Sequence, residues 1–180
     1  VLARMAGIPH RVGFASEGGR LLLTKAVPVP RGRHQVESYL DQLRRDGIAV
    51  DDGRNENWVT AATARRVDRS LAALPAGRKR VFLAVRGTDA DRYWNFARWV
   101  RLTEWLVSDR HCEVVLCGAP VDVPTHDRLV AAVGPAVAPR IHDFSRDLEL
   151  GETGGLMARM DLCIGVDTGL VHLAASYGVP

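Results

Sequence analysis

From Arg80 onward, short continuous apolar runs alternate with amphipathic segments, and this alternation restricts the fold more than any other feature of the sequence. The apolar runs predict strands at residues 81–85, 113–117, 140–144 and 162–166. The segments between and after them predict helices at residues 95–108, 126–133, 154–160 and 169–177. Such a pattern is typical of a parallel sheet covered on both faces. The sequence therefore predicts an α/β fold with a Rossmann-like parallel sheet and helices on both faces.

The earlier part of the chain has a different character. Residues 35–45 predict an amphipathic helix, and residues 61–74 predict a second one with an apolar stripe. Pro75-Ala76-Gly77 then interrupts the chain. We therefore expect two domains, residues 1–76 and residues 77–180.

The composition is that of a globular chain, with 47% hydrophobic and 25% charged residues, and no apolar run is long enough to cross a membrane. The formal net charge of +3 fits either a mildly basic protein or one that attracts an anionic partner, and both alternatives stay open. The basic clusters lack interleaved aromatic residues, so we expect no nucleic-acid partner.

Three cysteines occur without a CxxC pair, and the odd number argues against a disulfide framework. No secretory signal is visible. We therefore expect a cytoplasmic location. The chain begins at Val1 and stops at Pro180, directly after a predicted helix, and we expect it to be a fragment of a longer protein.

The segment most informative about chemistry is residues 161–180, which reads DLCIGVDTGLVHLAASYGVP. An apolar strand runs into a turn at Asp167-Thr168-Gly169, and a helix with His172 in its first turn follows at once. A helix that starts at the carboxyl end of a parallel strand directs N–H groups and its positive dipole end outward, which suits a phosphate. Gly169 permits close approach, while Thr168 and His172 offer hydrogen-bond donors.

Two other interpretations of this turn exist. Asp167 and Thr168 could form only a helix cap while His172 packs, and spacing alone does not separate this interpretation from a phosphate site. Asp-Thr-Gly is also the aspartic protease signature. That enzyme needs two such loops in an all-β fold, whereas this sequence has one loop followed by a helix.

The same segment strongly resembles the C-terminal signature of glycosyltransferase family 9, the heptosyltransferases of lipopolysaccharide core synthesis. In that family, an apolar strand is followed by Asp-Thr-Gly, two residues, His-Leu, two small residues and Gly-x-Pro. The matching residues here are Asp167-Thr168-Gly169, His172-Leu173, Ala174-Ala175 and Gly178-Val179-Pro180.

Weaker resemblances extend over nearly the whole chain. Gly87 and Thr88 resemble the family's glycine-containing loop, and Arg92 falls at the family's lysine, which helps to neutralise the donor diphosphate. Arg86 stands where the family usually has proline. Asp122 resembles the acidic residue that holds the ribose hydroxyls. Leu148 falls where an apolar residue contacts the adenine.

The resemblance implies a GT-B architecture, with residues 1–76 as the tail of the acceptor-binding domain and residues 77–180 as most of the donor-binding domain. It implies transfer of a heptose-like sugar from a nucleotide-diphospho-sugar, such as ADP-heptose, to a lipopolysaccharide-core or other glycan acceptor. Arg92 and His172 would be the catalytic residues, and Gly87, Thr88, Asp122, Leu148, Asp167, Thr168 and Gly169 would bind the donor.

The family's base is an aspartate near the start of the N-terminal domain, and we assign this role to no residue here. We therefore expect this chain alone to be inactive. We expect no cofactor and no metal, and a glycan or glycolipid acceptor would imply contact with the inner membrane surface. A sugar-nucleotide epimerase of the same architecture and a catalytically silent nucleotide-binding module are the alternatives.

Overall fold

The computed structural model describes residues 1–15, 19–50, 53–87 and 93–180. The chain divides into two compact units, Val1–Arg54 and Asn55–Pro180. The second unit carries the sheet with helices on both faces that the sequence predicts.

The first unit contains a two-stranded parallel sheet and a long amphipathic helix. Its elements are α1 (Leu2–Met5), β1 (Val12–Phe14), β2 (Lys25–Val27) and α2 (Gln35–Arg45). The predicted helix at residues 35–45 is confirmed at both ends. The Nδ1 atom of His34 accepts a hydrogen bond from the Val36 amide at its start, and Gly47 takes a positive φ of 82° just beyond its end.

The sheet of the second unit contains four parallel strands in the order β5-β4-β3-β6. Its strands are β3 (Arg80–Ala84), β4 (Glu113–Leu116), β5 (Ile141–Asp143) and β6 (Leu162–Gly165). The chain moves from β3 outward through β4 to β5 and then crosses back to the other side of β3. The strand order therefore changes direction between β3 and β6.

The helices of the second unit are α3 (Ala61–Leu71), α4 (Phe96–Ser108), α5 (Val123–Ala132), α6 (Leu150–Met157) and α7 (Gly169–Ser176). Alternate residues of β3 enter different cores. Phe82 and Ala84 pack with residues of α3, α6 and α7, whereas Val81 and Leu83 pack with residues of α4 and α5. Both faces of the sheet are covered, which explains why its strands read as continuous apolar runs.

Two helices begin earlier than the sequence pattern indicated. The helix expected from His126 starts at Val123, and Asp122 is its N-cap residue. The helix expected from Gly154 starts at Leu150, where Glu149 and Glu152 form a reciprocal capping box. At α6 the capping box sets the start, whereas at α5 the Asp122 side chain makes no capping hydrogen bond and Pro124, in the first turn, is a residue that favours a helix start.

The division between the compact units differs from the expected domain boundary near Pro75. The α3 helix lies before that proline but belongs to the second unit. Val67 and Leu71 of α3 share one core with Leu156 of α6, and Asp68 accepts a 3.1 Å hydrogen bond from the Arg159 guanidinium. The apolar stripe of α3 thus packs against the sheet that follows it in the sequence.

Within the four described ranges, no helix is both long and apolar enough to cross a membrane.

Candidate functional site

The carboxyl ends of β3 and β6 meet where the strand order reverses. Ala84 and Gly165 are register partners at these ends. Beyond them, a methyl group placed on Gly87 would lie 3.3 Å from Val166 Cγ2 and 3.4 Å from the backbone oxygen of Asp167. The loops after the two strands are therefore in contact. In open parallel sheets, ligands bind at such a reversal, outside the carboxyl ends of the strands.

The helix α7 begins immediately after this junction. Thr168 is its N-cap residue, and the Thr168 side chain makes no capping hydrogen bond. A methyl group on Gly169 would meet no atom of the described residues within 4 Å, so the part of the chain that the structure describes leaves this first turn open. The first N–H groups of a helix lack intrahelical acceptors and carry the positive end of its dipole. This geometry suits an anionic ligand and gives no support to Thr168 as a side-chain cap.

Asp167 and His172 form an ion pair across the first turn of α7, with 3.4 Å between Asp167 Oδ1 and His172 Nε2. Their side chains are 60% and 72% exposed. A carboxylate at a phosphate site requires an explanation, because like charges repel. Here the His172 ring faces the carboxylate through Nε2, so Asp167 has a partner within the helix, and the other ring nitrogen is not used in this contact.

Asp122 lies beyond the carboxyl end of β4 as the N-cap residue of α5. Its Oδ2 accepts a 2.8 Å hydrogen bond from the Ala119 amide, and its Oδ1 lies 3.3 Å from a terminal nitrogen of Arg86. This carboxylate is 18% exposed. The structure thus places Asp122 and the loop after β3 on one edge of the sheet, in direct contact through Arg86.

Leu148 is more buried than we would expect of a residue that contacts a nucleotide base. It is 8% exposed and packs in the core with Phe144 and Leu156. Most of its surface is therefore committed to the fold, and only its exposed edge is accessible to a ligand. Thr88 and Arg92 lie outside the described residues, so their expected roles stay predictions.

A buried polar cluster follows β5 at the same edge. His126 is 2% exposed, and its Nδ1 lies 3.3 Å from Asp143 Oδ2 and 3.1 Å from Ser145 Oγ. Burial raises the pKa of Asp143, but hydrogen bonds with His126 and Ser145 outweigh it, so the pKa is lowered overall. The cluster joins α5 to the loop after β5. The sequence pattern gave no indication that these three residues meet.

The cysteines are free thiols. Burial raises the pKa of Cys163 to about 11, and burial also raises the pKa of Cys117. Both thiols are therefore protonated at neutral pH, which makes them poor nucleophiles. In the described part of the chain, no group of three or more His, Cys, Asp or Glu residues is arranged to hold a metal ion.

Sequence reasoning noted Arg86 only as a departure from proline and did not single out Tyr93. The Arg86 guanidinium donates to Asp122 and to the Val121 carbonyl, and it lies 5.9 Å from the centre of the Tyr93 ring. The arginine in place of the usual proline could have indicated a role for Arg86. Its partner Asp122 lies 36 residues away in the sequence, so the contact could not be predicted from local spacing.

An open parallel sheet with helices on both faces and a helix that starts at its point of reversal defines an α/β protein of the Rossmann-like class. The sequence profile of glycosyltransferase family 9 (heptosyltransferase) matches residues 1–180. The chain belongs to this family. No curated protein sequence matches it significantly.

Solved structures share the fold. The E. coli ADP-heptose LPS heptosyltransferase II superposes with a TM-score of 0.80 at 20% identity, covering 99% of this chain and 56% of that one. A family 9 glycosyltransferase from Veillonella parvula superposes with a TM-score of 0.81 at 19% sequence identity, and the match covers 99% of this chain and 51% of that one. E. coli heptosyltransferase WaaC with ADP superposes with a TM-score of 0.64 at 21% sequence identity, and the match covers 95% of this chain and 53% of that one. The chain thus spans about half the length of the structures it matches.

Proposed function

We propose that the full-length protein transfers a heptose-like sugar from a nucleotide-diphospho-sugar to a hydroxyl of a glycan acceptor. The donor diphosphate binds at the N-terminus of α7. The observation that carries this proposal is the position of α7, which starts where the loops after β3 and β6 touch and is left open at Gly169 by the described residues. Family membership and the solved structure of a relative with ADP support a nucleotide donor.

Negative charge builds on the diphosphate as the bond to the sugar breaks. The amides of the first turn of α7 point toward this charge, and an N–H of the His172 ring adds a donor beside them. Arg92 supplies a further cation, as the family resemblance implies. Thr168 contributes a hydroxyl, and Gly169 leaves room for the phosphate oxygens, while Gly87 lets the loop after β3 come close to the backbone of Asp167. Neutralisation by these groups requires no metal ion in this account.

The nucleoside lies along the loops after β4 and β5. Asp122 accepts from the ribose hydroxyls, and the exposed edge of Leu148 contacts the base. The donor base is adenine in this proposal, because solved relatives are complexes with ADP and with an ADP-heptose analogue. No residue of this chain is assigned as the base that activates the acceptor.

The acceptor is a lipopolysaccharide-core or related glycan, which places the reaction in the cytoplasm against the inner membrane surface. Relatives that are lipopolysaccharide heptosyltransferases support this acceptor class. The free thiols of Cys112, Cys117 and Cys163 fit a reducing compartment.

The test is an assay of the full-length protein with ADP-heptose, with and without a heptose-deficient lipopolysaccharide acceptor. Release of ADP that depends on acceptor, together with a glycosylated product seen by mass spectrometry, is the expected result. Change in the sugar without acceptor would identify an epimerase instead. ADP binding without turnover under either condition would identify a silent nucleotide-binding module.

A further inference from the structure

The Arg86 side chain connects two loops at the carboxyl edge of the sheet. One of its terminal nitrogens donates to the Val121 carbonyl at 3.1 Å and to Asp122 Oδ1 at 3.3 Å. The two side chains are 28% and 18% exposed, so the contact is partly screened from water. A shielded charged hydrogen bond fixes geometry better than an ion pair in bulk solvent.

The Asp122 carboxylate is held from both sides. Its Oδ2 accepts from the Ala119 amide at 2.8 Å, and a methyl group placed on Gly118 would lie 2.6 Å from this same oxygen. The carboxylate is therefore folded tightly over the Gly118 backbone, and Arg86 secures its other oxygen. A carboxylate has about four acceptor positions, so each oxygen retains capacity for a further donor such as a hydroxyl.

Arg86 also contacts Tyr93. The guanidinium carbon lies 5.9 Å from the ring centre, within the range of a cation–π interaction. The hydrogen bond with the Tyr93 side chain, followed by that with Asp122, raises the pKa of Arg86 above its usual value. The guanidinium thus joins the loop after β4 to Tyr93, which lies three residues before α4 begins at Phe96.

We propose that Arg86 is a positioning residue for the donor nucleoside, which holds Asp122 in the orientation that receives the ribose hydroxyls. This inference rests on the proposed function. Arg86 does not contact the reacting atoms, and its effect passes through Asp122. Through one terminal nitrogen the guanidinium bonds to both the Val121 carbonyl and Asp122, and the same planar group also lies beside Tyr93. A lysine ammonium could reach the same two acceptors but would lack the planar group beside the tyrosine.

The consequence is specific to the ribose. Without Arg86, the Oδ1 side of Asp122 loses its anchor, and the carboxylate can turn away from the hydroxyl that it should accept from. Binding energy that depends on the 2′-hydroxyl should therefore fall, while binding through the diphosphate should persist. If Arg86 only stabilised the fold, its replacement would weaken the binding of all nucleotides to the same extent.

The experiment measures the dissociation constants of ADP and 2′-deoxy-ADP for the full-length protein by titration calorimetry. The wild type should bind ADP about tenfold more tightly than 2′-deoxy-ADP, the loss expected for one hydrogen bond to a charged group. In Arg86→Met this ratio should fall to about twofold or less, and Arg86→Lys should lie between the two. Arg110→Met is the matched control, because Arg110 also stacks on an aromatic ring, Trp105, but follows α4 at the opposite edge of the sheet; it should keep the wild-type ratio.

A wild-type ratio retained in Arg86→Met and Arg86→Lys, with both variants showing the wild-type melting temperature, overturns the inference about Arg86. A wild type that does not distinguish the two nucleotides overturns it together with the ribose role of Asp122. The diphosphate site is tested separately, since Gly169→Ala should weaken the binding of ADP and of 2′-deoxy-ADP equally, independently of the role of Arg86.

Discussion

His172 Nε2 lies 3.4 Å from Asp167 Oδ1 across the first turn of α7. The contact gives the Asp167 carboxylate a partner within α7 at a site that is otherwise suited to anions. It also orients the ring beside the free amides of the helix. The two residues act as one unit in this account, and their removal should not be additive.

We predict that His172→Ala in the full-length protein lowers kcat about a hundredfold with a small change in donor KM, the effect expected when one donor to developing charge is lost. Steady-state kinetics at saturating acceptor measure this. The matched control is His10→Ala, since His10 is also an exposed histidine paired with an aspartate, Asp46, at 2.8 Å. An increase in donor KM with kcat unchanged would show that His172 only binds the ground state.

Arg92→Ala should lower kcat to a similar degree, while Arg92→Lys should cost less, because the charge survives and the family resemblance places a lysine there. The same assay separates the two variants. Equal losses in both would show that the guanidinium fork, and not the charge, is what the diphosphate requires.

Two glycines only four residues apart should respond in opposite ways to alanine. Gly169→Ala should keep the melting temperature and raise donor KM about tenfold, because the added methyl group meets no atom of the described residues and occupies the phosphate's approach. In Gly165→Ala the methyl group would lie 2.6 Å from Ala84 Cβ, which should cost about 1–3 kcal/mol of stability. Thermal unfolding and donor kinetics on both variants provide the test. An unchanged donor KM in Gly169→Ala would remove the phosphate from α7.

Acid should weaken the cluster around Asp143. Its lowered pKa means that the ionised form stabilises the fold fully above the unfolded value of about 3.9, and this contribution is lost as the pH falls below it. Asp143→Asn should lose about 1 kcal/mol at pH 7 and show a shallower decline in stability between about pH 5 and pH 3. Asp127→Asn is the control, since Asp127 is 58% exposed in its pair with Arg146. An equally steep decline in Asp143→Asn would contradict the assignment.

Local patterns predicted much of the fold. The strands lie within one residue of their expected bounds at most ends, because continuous apolar runs mark a sheet buried on both faces. The early start of α6 was missed because a capping box sets it, although the Glu149–Glu152 spacing was a readable signal. The early start of α5 was missed although Pro124 in its first turn is typical of a helix start. The expected domain boundary near Pro75 stays a prediction; the structure shows only that α3 packs with the sheet that follows it, which its apolar stripe alone does not reveal.

The candidate site was predicted in part. The turn at Asp167-Thr168-Gly169 lies where a parallel sheet requires, since strand ends and helix starts are local properties. The contacts between Asp167 and His172 and between Arg86 and Asp122 were not predicted. They depend on side-chain geometry and on which strands become neighbours, and no local spacing encodes either of these.

The most direct test of the central claim is a crystal structure of the full-length protein with bound ADP. The account predicts that the diphosphate lies at the first turn of α7, with a phosphate oxygen within about 3 Å of the Gly169 amide or the Thr168 hydroxyl, and with His172 beside it. A diphosphate bound at the opposite edge of the sheet, or one that contacts neither α7 nor the loop after β3, would contradict the account.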